Sequence, residues 1–444
     1  MATTTATLGG EERKGPLDRL LRPFGDVRSG EGVTVLLLLA NIFLIMAGYY
    51  ICKTVREPLI LAGGGAEVKS YAAAGMAVVL MGFIPLYSWF ASRVDRMRLI
   101  TGVLLFFIAN LEMFWLGAKA GVPYLGVAFF IWVGIFNNAV VAQFWSYGND
   151  LFPLDTGQRL FPVIGIGATV GSALGPWIAE KLFEAGVAAY SMLHITVIVL
   201  FACLGLFWLV ENREGARRQR AAAVPLEAGG GFALIARSPY LRLIALLIAV
   251  LNLVNTTGEY ILGRAVVHEA SVRAAADPSF HTQAFIGAFY GSYFFWVNVV
   301  AIVVQALIVS RIVRYLGIAG VVLALPVVAF GAYGAMAALG TLAAVRWGKT
   351  AENSTDYSVM NTARQVLWLP TRREEQYKAK QAVDTFVVRT GDVLSAVLVY
   401  LGTTVFAFGV PGFARVNLLL VILWFAVALL LIREYRKLTA REAV

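Results

Sequence analysis

The 444-residue chain has little charge, little cysteine and little histidine. Asp, Glu, Lys and Arg together make up 14% of it, where soluble domains carry about 25%. Hydrophobic residues reach 59% and mean hydropathy is +0.73. A soluble protein of this length needs a polar surface that these residues cannot supply, and disordered and collagen-like chains are excluded by the same numbers. Two cysteines, Cys52 and Cys203, both fall in apolar runs and suggest neither a disulfide framework nor a metal site. Three scattered histidines, His194, His268 and His281, form no ligand cluster. There is no P-loop, no HExxH and no Ser/His/Asp set above chance. The pair of glycines in Gly165-Ile166-Gly167 lacks the preceding strand of a dinucleotide fingerprint. Neither an enzyme nor a cofactor is expected.

Long apolar runs are what the chain does have. They lie at roughly 33–61, 70–92, 99–117, 122–148, 160–182, 190–211, 240–262, 284–309, 316–340, 341–364, 382–408 and 413–432. A spanning helix needs roughly 20 apolar residues, so these read as twelve transmembrane helices of an all-α polytopic membrane protein. The tenth is rich in charge, and hydropathy alone rejects it. Parity retains it, because the basic clusters before the ninth and the eleventh spans should lie on the same side.

The net charge of +10 would suggest nucleic acid in a soluble protein. Here it reads as the positive-inside bias, and no nucleic-acid partner is expected. With both termini cytoplasmic, inner segments hold 25 of the 37 basic residues. Outer loops hold Lys69, Lys119, Lys181, Arg264, Arg273 and Arg415. A polar start, Met1–Gly15, carries no apolar signal region. Residues Pro16–Arg28 suit either a short helix on the membrane surface or a frayed basic tail. The expected division is an N-terminal segment 1–32, six spans over 33–211, a charged linker 212–239, six spans over 240–432 and a tail 433–444. Two six-helix halves around a basic linker form the major-facilitator layout. A monomer in a bacterial inner membrane is expected.

A charge at bilayer depth costs about 2.5–3.5 kcal/mol on insertion scales, so it faces protein or a wet cavity. Lys53 and Glu57 stand four apart in the first span and can pair, which leaves Arg56 to find an anion; Pro58 kinks the helix after them. In the tenth span, Arg346, Lys349, Glu352, Asn353, Asp356 and Arg364 fall on one arc of the helix. They form a hydrophilic stripe, read as lining a cavity. In the seventh, Asn252, Asn255, Thr256 and Glu259 share a face. Arg389 and Asp392 of the eleventh read as a local pair, with Asp384 nearby. Asn149, Asp150 and Arg159 are candidates for an inner gate or for helix caps, and Glu112 stands alone. Tyr49, Tyr50 and Trp145 could stack a base or merely pack. Gly167, Gly171 and Gly175 repeat every four residues, the small-xxx-small pattern of close helix packing.

Three blocks resemble the ATP:ADP antiporter (nucleotide transporter) family of plastids and intracellular bacteria, related to the major facilitator fold. The first is Val55-Arg56-Glu57-Pro58-Leu59-Ile60-Leu61 with Gly65-Ala66-Glu67. It is similar to the family's Lys-Asp-Thr-Leu-Val-Val and Gly-Ala-Glu. The second is Phe144-Trp145-Ser146-Tyr147-Gly148-Asn149-Asp150 with Arg159-Leu160-Phe161-Pro162. The third runs from Tyr357-Ser358 through Ala363-Arg364-Gln365-Val366-Leu367-Trp368-Leu369-Pro370 to Tyr377-Lys378-Ala379-Lys380, Asp384 and Arg389. Asp356 and Asn353 stand where the family has lysines, and Gln365 replaces a Glu. The resemblance implies nucleotide exchange; the charges alone imply an anion in a polar central cavity.

The residues therefore suggest a secondary transporter working by alternating access. Lys53, Arg56, Glu57, Asn149, Glu259, Arg346, Lys349, Glu352, Asp356 and Arg364 are the expected substrate-binding set. Asp150, Arg159, Lys378, Lys380, Asp384, Arg389 and Asp392 are expected to gate or to pair. A proton-coupled transporter of another solute and a non-transporting membrane scaffold or sensor remain alternatives.

Overall fold

A computed structural model describes residues 26–91, 93–214, 230–372 and 374–442. Most of the expected surface helix at 16–28 and the middle of the linker 212–239 lie outside the described residues. All regular elements within them are helical. The first, α1 (Gly32–Ala91), would measure about 90 Å if straight at 1.5 Å per residue, three times the hydrocarbon thickness. It is broken at Gly65, which takes φ +75°, open to glycine without the Cβ penalty. The two arms fold back there. Lys69 on the second arm reaches Glu57 on the first, 12 residues earlier, which a straight helix would hold about 18 Å apart. The gap expected between the apolar runs 33–61 and 70–92 is thus a single-residue hinge at Gly65 between two helical arms.

Four helices follow: α2 (Arg96–Lys119), α3 (Leu125–Leu151), α4 (Leu154–Glu184) and α5 (Leu193–Glu214). Asp95 starts α2 by accepting a hydrogen bond from the Arg98 amide, the usual service of an N-cap carboxylate. Beyond the linker come a short α6 (Gly231–Arg237), α7 (Pro239–Ala276) and α8 (Thr282–Val304). Ser238 caps α7 by accepting from Leu241 N, with Pro239 in the first turn, where its missing N–H has no partner to lose. A π turn (Gln305–Val309) joins α8 to α9 (Ser310–Leu339), which is broken at Gly317 with φ +59°. Next, α10 (Leu342–Thr355) runs through a π turn (Asp356–Met360) into α11 (Asn361–Leu367). Irregular helical turns then lead into α12 (Val388–Thr404), and α13 (Val410–Glu442) ends the described chain.

Among the described residues, eight helical runs are long and apolar enough to cross a membrane. The charged α10–α11 stretch and α12 are not among them. Large side chains such as Leu86, Phe106, Met113, Ile198 and Leu419 point outward and exposed, as on an integral membrane protein, whose helices meet hydrocarbon. The charged face of α10 is turned the other way, so that Lys349, Glu352 and Asn353 are buried against protein.

Two apolar cores organise the bundle. One joins α1 to α5 through residues such as Leu38, Phe107, Phe136, Phe144 and Phe207. The other joins α7 to α13 through Leu247, Ile261, Tyr290, Tyr333 and Trp424. This second core also takes in Ile60, Leu61, Ala66, Ala72 and Phe130 from the first helices. The two sets therefore meet toward the Gly65 end, and the candidate site lies at this seam.

Candidate substrate site

A cavity of about 210 Å³ opens between the two sets of helices. The arms of α1 bring Lys53, Arg56 and Lys69 to it; α7 brings Asn252, Asn255, Thr256 and Glu259. Phe130 of α3, Phe294 of α8, Asn353 of α10, Tyr357 of the π turn and Asp392 of α12 complete the polar and aromatic lining.

Its charges form one chain across the seam. Glu57 is buried and holds two cations: Arg56 Nε lies 3.1 Å from Oε1, and Lys69 Nζ 2.6 Å from Oε2. Lys69 also donates to the Tyr290 hydroxyl at 3.4 Å and sits 3.9 Å from Glu259. On the far side of Glu259, at 3.8 Å, is Lys349. That lysine is fully buried and donates to Glu352 at 2.9 Å and to Asn255 Oδ1 at 3.0 Å. Glu352 in turn accepts from the Tyr333 hydroxyl at 2.7 Å. Burying ions costs several kcal/mol each, and only pairing with further hydrogen bonds offsets it. Gly258 makes room for this network, since a Cβ there would lie 2.8 Å from Lys349 Nζ.

Lys53 departs from the expected pairing with Glu57. Its ammonium lies over the rings of Tyr50, Phe294 and Tyr357, 4.9, 4.4 and 6.0 Å from their centroids. Ring quadrupoles attract a cation at such distances. Arg56 stacks on Phe130 at 4.4 Å. The aromatic faces of the cavity are thus covered by cations. Tyr50 turns its hydroxyl to Asn298, and Trp145 packs on Phe144 and Phe161, so neither Tyr50 nor Trp145 lines the cavity.

The expected stripe on the tenth segment separates into four parts. Asn353 faces the cavity and donates to Glu259 at 2.9 Å and to the Tyr293 hydroxyl at 2.7 Å. Lys349 and Glu352 stand behind the lining. Arg346 donates to Ser292 Oγ at 2.7 Å near the Gly65 end. Arg364 closes on Asp356 at 3.2 Å toward the other end. In α12, Arg389 lies 3.4 Å from Asp392, which also accepts from Asn252 and Thr256.

The remaining candidates sit away from the cavity. Asn149 is exposed at the end of α3. Asp150 and Arg159 do not meet: Asp150 pairs with Arg96 at 2.7 Å, and Arg159 pairs with Glu31 at 2.9 Å. Lys378 pairs with Glu374, and Lys380 donates to Gln365. Asp384 lies in a π turn before α12. Glu112 finds a partner in His194 Nδ1 at 2.9 Å.

A model of the family described as TLC ATP/ADP transporter matches residues 127–438. The chain belongs to this family. Beyond that match, the transporter is 23% identical to ADP,ATP carrier protein 1 of Chlamydia muridarum (strain MoPn / Nigg) over 456 aligned positions, which cover 83% of each chain. It is also 23% identical to ADP,ATP carrier protein 4 of Rickettsia bellii (strain RML369-C), there over 59% of its own length and 56% of that carrier. In fold, the transporter is similar to the nucleoside transporter NupG, with a TM-score of 0.63 at 12% identity, covering 90% and 98% of the two chains. A bacterial homologue of the iron transporter ferroportin in an inward-facing state gives a TM-score of 0.64 at 13% identity, covering 89% and 98%. These likenesses assign a major-facilitator-like transporter fold.

The residue that sequence reasoning misplaced is Lys69. Counted with the outer loops, it is 6% exposed and lines the cavity between two carboxylates. No sequence signal marks it, because the runs 33–61 and 70–92 leave residues 62–69 free to form a loop.

Proposed function

We propose that the protein is a carrier and not an enzyme: a secondary transporter that exchanges nucleotides by alternating access between two six-helix halves, 33–211 and 240–432. The observation that carries this is the convergence of Lys53, Arg56 and Lys69 on one cavity between two sets of helices. Such a site suits a phosphate, and arginine fits it through its planar fork. Membership of a family whose relatives are called ADP,ATP carriers points to the nucleotide.

The geometry suggests how both ends of a nucleotide are read. Phosphate draws Lys53 and Arg56 away from their rings. That uncovers Phe294, Tyr357 and Phe130 for a base, whose flat face stacks well on such rings. Asn353 Oδ1 is buried without a hydrogen-bond partner among the described residues and offers an acceptor to a ribose hydroxyl or a base amine. At about 210 Å³ the cavity is below the roughly 300–1,000 Å³ of ordinary ligand sites, so substrate entry requires a more open state.

The helix lengths support a reading of twelve spans. Two of the eight apolar runs, of 60 and 58 residues, each cross twice, and α10–α11 and α12 add two more crossings. The basic Arg96 end faces the cytoplasm by the positive-inside rule, with both termini there. A monomer in a bacterial inner membrane is sufficient, because the cavity lies within one chain.

Counterflow into proteoliposomes preloaded with AMP, ADP or ATP tests the function. Labelled nucleotide should accumulate only when counter-nucleotide is inside, and Arg56→Ala should lower the rate by at least about tenfold while the protein still folds. Uptake no higher than in empty liposomes for all three nucleotides sinks the reading.

A further inference from the structure

The cavity is nearly balanced in charge. Its lining holds three cations, Lys53, Arg56 and Lys69, against two carboxylates, Glu259 and Asp392. One positive charge is in excess. Behind the lining, Lys349 and Arg389 are matched by Glu57 and Glu352, so the second layer changes nothing. The excess resides at Lys53. It is the lining cation that has no carboxylate within ion-pair distance among the described residues, and rings hold it in place.

A phosphomonoester carries about −1.5 to −2 charges at neutral pH, and every further phosphate adds to that. Charge left unmatched in a buried site is costly. A nucleotide with one phosphate group comes close to neutralising this cavity, whereas a triphosphate leaves it strongly negative unless several ion pairs are broken. Resting on the reading of the chain as a nucleotide exchanger, we infer that the preferred substrate is a nucleoside monophosphate, with Lys53 its phosphate anchor, and that di- and triphosphates are poor substrates.

Initial counterflow rates with equal concentrations of AMP, ADP and ATP test this. AMP should exceed ATP by about tenfold or more, with ADP between them. ATP or ADP exchanging as fast as AMP overturns the inference and leaves nucleotide exchange standing; no exchange of any of the three removes both. Glu259→Gln and Asp392→Asn each add one positive charge to the lining from a different helix. Each that folds should raise the ADP-to-AMP rate ratio by about tenfold, the factor of one unit of differential interaction. A ratio that stays put or falls in both overturns the inference; if neither folds, the wild-type rates decide.

Discussion

Glu57 serves two cations with one carboxylate, at 1% exposure. Removing it leaves Arg56 without a carboxylate within ion-pair distance among the described residues, and Lys69 with only Glu259 at 3.9 Å. Breaking a buried pair from one side costs about 3–5 kcal/mol. Glu57→Gln should therefore lower the detergent-solubilised melting temperature sharply, and Lys69→Met should do likewise. The double variant Glu57→Gln/Lys69→Met is expected to be more stable than the sum of the two, by at least about 1 kcal/mol of coupling. Additive losses in thermal unfolding would show that the pair does not act as a unit. This pairing was not legible from the sequence, because side chains at i and i+4 are neighbours on any helix and Lys53 with Glu57 satisfied that rule. Whether a nearer rival folds back from beyond Gly65 depends on tertiary structure. The local pair Arg389–Asp392 needed no such knowledge and is present at 3.4 Å.

At the scale of elements, α4 lies against the first arm of α1 through a ladder of glycines. A Cβ on Gly167, Gly171 or Gly175 would stand 2.2, 2.3 or 2.5 Å from the carbonyl oxygen of Leu39, Phe43 or Ala47. Backbone cannot yield as a flexible side chain can, so the helices must separate. Gly171→Ala should destabilise the protein by about 1–3 kcal/mol, the usual cost of overpacking. Gly165→Ala, two residues from the ladder, meets nothing within 4 Å and should be neutral or slightly stabilising, since alanine is the better helix former. Equal losses of monodisperse protein after heating for both variants would contradict the ladder. The four-residue spacing made close packing readable in the sequence, though not the partner helix. The tenth segment was readable by its arc of charges, because a helix with one polar face must turn it to protein inside a bilayer. What the arc could not show is the π turn at Asp356–Met360. That turn changes the register of the helix and sends Arg364 to Asp356, apart from the Lys349 network.

For the whole molecule, the contacts between the two sets of helices concentrate toward the Gly65 end. Tyr260 donates to Glu67 at 2.8 Å, and Gly263 rests against Leu61 and Ala66. Between α4 and α8 the approach is closer still. A Cβ on Gly287 would lie 2.5 Å from the Phe183 ring, and one on Gly291 would lie 2.8 Å from the Glu180 amide nitrogen and the Pro176 carbonyl oxygen. The pairs at the other end, Arg96 with Asp150 and Arg159 with Glu31, lie within the first set and do not bridge to the second. If the Arg96 end is cytoplasmic, as proposed above, this is a carrier shut toward the outside. Gly287→Leu puts a branched side chain where the buried Phe183 ring now packs, so it should prevent this closure and favour the opposite state. Ala73→Cys, on the cavity wall, reports which side is open, while the native Cys52 and Cys203 are buried and should stay silent. A membrane-impermeant maleimide should label Ala73→Cys from the cytoplasmic face in inside-out vesicles. Adding Gly287→Leu should move labelling to the outer face of intact cells and reduce counterflow at least about tenfold. Labelling that remains cytoplasmic in the double variant, with exchange intact, would mean that the glycine contact does not hold the outer side shut. Because interfaces of this kind are bistable rather than continuously deformable, a partial shift should appear as two labelling populations, not as a uniform slowing.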